Sequence, residues 1–324
     1  MNRAMLVSLA AFLVVAPACT RDDAARPFRL GYFPNLTHAQ ALVGAADGSF
    51  SKALGGKFET RLFNAGPAAM EALVAGDLDA SFVGPGPAVI AYLRTKGEAI
   101  AIVAGAMSGG ALLVARPEIG SPKDLVGRRV ACPQIGNTQD IALRTWLRAQ
   151  GLKEGEGEGA VRVTPLENPE ILALYAKGEL AAAWVPEPWA SRLLDAGARI
   201  LVDERTLWEG GAFQTTVIAV SRRALERRRA DVVALVRAHV ELTERWRRDP
   251  DAFRAAANGE LAKLAGKPLP DAVAAQAFSR LAPSEDPMAA ALARVARDAQ
   301  ELKYAPPGDV SGLVDPSILA DARR

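Results

Sequence analysis

The chain has 324 residues, half of them hydrophobic, with 39 Lys+Arg against 37 Asp+Glu. That length buries a substantial core, and basic residues interspersed among acids at near-neutral net charge argue against a nucleic-acid partner. With two histidines and two cysteines in the whole chain, neither a metal cluster nor a disulfide framework is expected, and no cofactor is called for.

At the N-terminus, Arg3 precedes an apolar stretch from Ala4 to Ala16, then Pro17-Ala18-Cys19, after which Thr20-Arg21-Asp22-Asp23 turns polar. The apolar run falls short of the roughly 20 residues a membrane span needs, and small residues precede the cysteine, as signal peptidases require. Residues 1–18 therefore read as a signal peptide with a lipobox-like end, Cys19 as a lipidation site and 19–26 as a tether. The expected location is the periplasm or cell exterior, membrane-anchored through Cys19, or soluble there after ordinary cleavage near Ala18. The other cysteine, Cys132, sits in the apolar run Arg129–Cys132 and reads as a small core residue.

Beyond the tether the chain repeats itself. Gly76-Asp77-Leu78-Asp79-Ala80-Ser81-Phe82-Val83-Gly84-Pro85 resembles Gly178-Glu179-Leu180-Ala181-Ala182-Ala183-Trp184-Val185-Pro186-Glu187, 102 positions later, and Pro67 pairs with Pro169 at the same spacing. Thr37 to Leu42 lines up with Thr138 to Leu143 at a spacing of 101. Each half reads as strands alternating with helices: Phe28 to Phe33, a helix from about Thr37, Phe58 to Phe63, a helix from about Pro67, then Ala80 to Val83, with the same plan again from Val130. Such alternation implies parallel pairing with right-handed crossovers, hence an α/β fold of two similar lobes. Gly105 to Gly110 is expected as a loop between the apolar strands Ala99–Val103 and Ala111–Ala115, and Phe213 to Val220 as a strand returning to the first lobe. This assigns 27–115 and 212–324 to lobe 1, the latter with C-terminal helices from Arg222 onward, and 116–211 to lobe 2. Two crossings between lobes make a hinge.

Ligand chemistry is expected where strand ends meet helix starts. In lobe 1 this singles out Asn35, Thr37 and His38, then Asn64, and Gly84 with Pro85. In lobe 2 the run Gln134-Ile135-Gly136-Asn137-Thr138-Gln139 carries more polar donors than a helix cap needs, which points to Gln134, Gly136, Asn137 and Thr138. Glu187 and Trp189, in the proline-framed loop Val185 to Trp189, are expected to face the cleft and select the ligand. Ser108, Gly109 and Thr215, on the hinge segments, complete the candidate set.

Taken together, Gly31-Tyr32-Phe33-Pro34-Asn35-Leu36-Thr37-His38, Gly76 to Pro87, Gly136-Asn137-Thr138 and Trp184 to Trp189 resemble the nitrate, aliphatic-sulfonate and taurine substrate-binding proteins of ABC importers. The likeness runs from about Phe28 to about His239. It implies a two-lobed periplasmic-binding-protein fold that closes on a small molecule and presents a joint surface to an ABC permease and its ATPase. The favoured ligand is a small oxyanion such as an aliphatic sulfonate. A heterocycle such as a thiamine-precursor pyrimidine, hydrogen-bonded to Glu187 and stacked on Trp189, is the alternative. A pyrimidine-synthesising enzyme of the same fold is disfavoured by the export signal and the lack of a cysteine cluster, so no enzymatic activity is expected. A sensor partner in place of a permease remains open.

Overall fold

The computed structural model describes residues 26–266 and 268–324; the proposed signal peptide, Cys19 and nearly all of the tether lie outside them. Among the described residues, twelve strands form two six-stranded sheets. In chain order they are β1 (Phe28–Tyr32), β2 (Phe58–Leu62), β3 (Ala80–Val83), β4 (Ile100–Gly109), β5 (Ala111–Ala115), β6 (Arg129–Cys132), β7 (Lys153–Glu154), β8 (Ala160–Pro165), β9 (Ala182–Pro186), β10 (Arg199–Asp203), β11 (Gln214–Ser221) and β12 (Leu281–Pro283).

The first sheet runs β12-β4-β11-β3-β1-β2 and the second β10-β5-β9-β6-β8-β7. In each, three parallel strands joined by helical crossovers (β2-β1-β3 and β8-β6-β9) are followed by an antiparallel strand, β11 or β5. The internal repeat is thus visible as equivalent sheets. Helices cover both faces, so the central strands are apolar on both sides: β3 and β9 are buried along their whole length. Phe28, Phe50, Phe82, Trp246 and Phe253 fill one face of the first sheet and Met70, Tyr92 and Leu292 the other. Trp146 and Trp184 pack on one face of the second sheet, Tyr175 and Leu180 on its opposite face.

Two expectations are corrected. The segment Gly105–Gly110 is not a loop: β4 continues to Gly109 because β11 and β12 pair along its two edges. Gly105 permits this, since a Cβ there would stand 2.2 Å from the Asp286 carbonyl oxygen and 2.5 Å from Gln214 Nε2. And β5, assigned above to lobe 1, belongs to the second sheet, where it lies between β9 and β10. The first crossing is therefore the pair Gly109-Gly110, whose φ values of 74° and 72° are left-handed and suit glycine alone at low cost. The second crossing is the stretch from Glu204 to Phe213 between β10 and β11. Glu204 is buried there, accepting a hydrogen bond from Trp184 Nε1 at 2.8 Å, and burial pushes its carboxyl up to about 7. Downstream the chain is mostly helical, with β12 as the exception, and no described helix is long and apolar enough to cross a membrane.

Candidate functional site

The two sheets face each other across a cleft whose walls are helix starts. Five helices of eight residues or more begin there: Ala39–Ala46, Gly66–Val74, Pro85–Arg94, Thr138–Ala149 and Asn168–Ala176. The cap or first residue of each, namely His38, Ala65 with Gly66, Gly84, Asn137 and Asn168, lines one cavity between the lobes. Only Asn137 caps its helix with a side chain, accepting the Asp140 N–H at 2.8 Å; the caps of the other four make no such bond. The positive ends of five helix dipoles therefore lie beside the cavity; first-turn N–H groups of Gly66–Val74, Thr138–Ala149 and Asn168–Ala176 can serve it, whereas those of Ala39 and Gly86 donate to the Leu36 carbonyl and to Thr138 Oγ1.

The side chains add donors rather than charges. Asn35 Oδ1 accepts from Trp189 Nε1 at 2.9 Å and Asn137 Oδ1 is occupied by its cap, which leaves both amide NH₂ groups to donate elsewhere. Thr138 Oγ1 accepts from the Gly86 N–H at 3.2 Å, so its own proton is available. His38 is fully buried and its ring stacks on Phe33 with centroids 4.4 Å apart. Burial lowers its pKa to about 3, so it is neutral at pH 7. Its Nδ1 accepts from the Phe33 N–H at 3.4 Å, which assigns the proton to Nε2. None of the residues lining the cavity is Asp, Glu, Lys or Arg. The cavity measures about 30 Å³, far below the roughly 300–1,000 Å³ of drug-sized pockets.

Of the residues singled out from sequence, the structure brings Asn35, Thr37, His38, Asn64, Gly84, Asn137, Thr138 and Thr215 to this cavity. The remaining seven lie elsewhere. Glu187 is the largest correction: its carboxylate is fully buried, accepts from Ser191 N and Oγ, each at 3.0 Å, and pairs with Arg280 Nη1 at 2.9 Å. It pairs with Arg280 beside the Gly109-Gly110 crossing and does not line the cavity. The Trp189 indole is held between Asn35 and Arg192, whose guanidinium lies 4.8 Å from the ring centroid. Gln134 is exposed and borders a groove beside Asn64. The Gly136 N–H donates to Asp140 Oδ2 at 2.8 Å, holding the loop from behind. Pro85 is buried at a helix start, whereas Ser108 and Gly109 pair with β12. Thr215 also donates its hydroxyl to the Gly109 carbonyl, tying the two hinge strands together.

The sequence reading did not select Phe33, Gly66, Gln139, Asn168 and Pro186, which also line the cavity. The repeat carries a usable signal for three of them: Asn168 stands 102 positions after Gly66, and Pro186 stands 102 after Gly84. Each of these pairs faces the cavity from opposite lobes.

The fold is shared with solved structures. The alkanesulfonate-binding protein SsuA of Xanthomonas axonopodis pv. citri superimposes with a TM-score of 0.71 at 21% identity, over 90% of this chain and 99% of that one. The periplasmic nitrate-binding protein NrtA of Synechocystis PCC 6803 gives 0.73 at 13% identity, over 91% and 88%. In sequence, the taurine-binding periplasmic protein of Escherichia coli K12 is 27% identical over 233 residues, 71% of either chain. A putative binding protein of Brucella abortus is 26% identical over 188 residues, 57% of this chain and 56% of its own. The NMT1-like family model matches residues 22–262, and the chain belongs to that family.

Proposed function

We propose that this protein is the extracytoplasmic solute-binding component of an ABC importer and that its ligand is a small oxyanion such as an aliphatic sulfonate. One observation carries the ligand class: five helix starts and several amide and hydroxyl donors converge on a small cavity without a single charged side chain. Convergent helix N-termini hold an anion without a counter-charge, and in a closed, low-dielectric cleft such dipoles act at greater strength than in water. A cationic ligand would meet the positive ends of those dipoles with no carboxylate to offset them. The reading of a heterocycle held by Glu187 and Trp189 loses its two anchors, since both already have protein partners.

The relatives named for taurine, alkanesulfonate and nitrate support the same class. Ligand binding would then shift an open–closed equilibrium toward the closed form, to the extent that the ligand prefers it, with rotation absorbed at Gly109-Gly110 and in the Glu204–Phe213 stretch. Lipidation at Cys19 would hold the protein at the membrane surface, where the closed form docks on the permease.

The test is a thermal-shift screen of residues 20–324 against nitrate, bicarbonate, short alkanesulfonates and pyrimidines. A ligand at 100 times its Kd adds about 2.7 kcal/mol of stability. We expect shifts with oxyanions, the largest with a sulfonate. Shifts with pyrimidines alone would refute the reading.

A further inference from the structure

Among the described residues that line the cavity, only Asn168 has a buried side-chain oxygen without a hydrogen-bond partner. The residue is 7% exposed and opens the helix Asn168–Ala176, followed by Pro169. An asparagine at a helix start ordinarily uses its oxygen to accept a first-turn N–H, as Asn137 does from Asp140 at 2.8 Å. Asn168 Oδ1 accepts none. It also differs in kind from the rest of the wall: helix N–H groups, amide NH₂ groups and hydroxyls suit an oxyanion, whereas a bare amide oxygen beside one is of like polarity.

The cavity runs on into the groove beside Gln134, since Asn64, Ala65 and Pro133 line both. Glu167 and Glu170, which flank Asn168 and Pro169 at the same helix start, line this groove, and no Lys or Arg among the described residues does. Glu167 Oε1 accepts from Asn64 Nδ2 of lobe 1 at 3.0 Å, and the carboxylate can accept further donors. Carboxylates at a helix start also complement its dipole, but that role alone leaves the orphaned Asn168 oxygen without a purpose. The site is therefore polarised, donor-lined in the cavity and negative along the groove.

We propose that Asn168 is a specificity-determining residue and that the ligand is a zwitterion, its oxyanion in the cavity and its ammonium group donating to Asn168 Oδ1 on the side of Glu167 and Glu170. The inference rests on the cavity being the oxyanion site and deepens that reading by naming what else the ligand carries. The cavity is about 30 Å³, so a bound oxyanion displaces the water that would otherwise serve Asn168. A ligand without a donor then leaves a buried acceptor unpaired, and a site holding such a group rejects the analogue that cannot pair with it. An ammonium group answers both features at once: it donates to the amide oxygen and meets negative potential at the groove.

Calorimetric titrations of wild type compare ethanesulfonate with 2-aminoethanesulfonate and 3-aminopropanesulfonate. We expect the better of the two amines to bind at least about tenfold more tightly than ethanesulfonate, the scale of one unpaired buried acceptor. In Asn168→Ala, which removes that acceptor, the preference should fall to about threefold or less, the share left to exposed carboxylates. Replacing the carboxylates instead, with Glu167→Gln and Glu170→Gln together, should narrow the wild-type preference by about threefold and make what remains insensitive to salt. The wild-type comparison stands whether or not Asn168→Ala folds. Equal wild-type affinities for the amines and ethanesulfonate would overturn the proposal. So would an Asn168→Ala protein that weakens both kinds of ligand by the same factor, because Asn168 would then be donating its NH₂ group to the oxyanion. Wild type that binds none of the three, nor any other oxyanion, would instead overturn the proposed function beneath it.

Discussion

Replacing Gly86 with alanine should weaken ligand binding by at least about tenfold without lowering the stability of the ligand-free protein, because overpacking a tight contact costs about 1–3 kcal/mol. Gly86 lies in the first turn of the helix Pro85–Arg94 and touches lobe 2. A Cβ there would stand 3.1 Å from Thr138 N and Cα and 2.8 Å from Ile141 Cδ1. Ile141 can turn aside; the Thr138 backbone, at the start of its own helix, cannot. The added methyl acts as a wedge between the lobes. In an open arrangement it meets nothing from lobe 2, and alanine suits a helix better than glycine does, so the Tm without ligand should hold or rise. Gly84→Ala adds a second wedge, with Cβ 2.3 Å from Thr138 Oγ1. Calorimetric titration and a melting curve on each variant decide the matter. Undiminished affinity would mean that the closed arrangement is not the one that binds.

Glu187→Ala should act in the opposite sense, destabilising the fold by about 3–5 kcal/mol, the usual consequence of removing one partner of a buried ion pair. Arg280 would be left buried with Ser191 Oγ and the Gln276 carbonyl as its hydrogen-bond partners among the described residues, and Ser191 N, near the start of its helix, would lose its acceptor. Because the pair sits at the Gly109-Gly110 crossing, where the Glu187 N–H donates to the Gly110 carbonyl, it is kept when the lobes turn about that crossing, and affinity measured on the folded fraction should change by less than about threefold, the scale of an uninvolved position. Denaturant unfolding and titration of the same preparation separate the two effects. Unchanged stability with a large loss of affinity would restore Glu187 to the ligand.

These two residues mark what sequence reading reaches and where it stops. Gly86 sits in a Gly-Pro-Gly-Pro loop whose role at a helix start follows from local chemistry, and the same holds for Asn137 and Thr138, whose cap and hydroxyl act within a few residues of chain. The α/β plan and its duplication were legible because strand and helix periods, and the spacing of 102 between Gly76 and Gly178, are also local or self-referential. Glu187 was misread because its partner, Arg280, lies 93 residues downstream, in a segment outside the repeat. Nothing near Glu187 announces a buried guanidinium. The assignment of β5 failed for a related reason: a strand right after a crossing carries no mark of the sheet it will join, and here its neighbours are β9 and β10. His38 lies at the cavity, but its neutrality is a product of complete burial against Phe33, which a helix-start motif does not encode.

The measurement that bears most directly on the central claim, capture of an anion by uncharged donors, is a pair of calorimetric titrations at pH 7. One uses ethanesulfonate and the other ethanesulfonamide, which has nearly the same shape and no charge. Helix starts and amide donors directed at a developing or full negative charge should bind the sulfonate at least about 100-fold more tightly, the worth of two or so charge-assisted hydrogen bonds. Equal affinities, or tighter binding of the sulfonamide, would contradict the account.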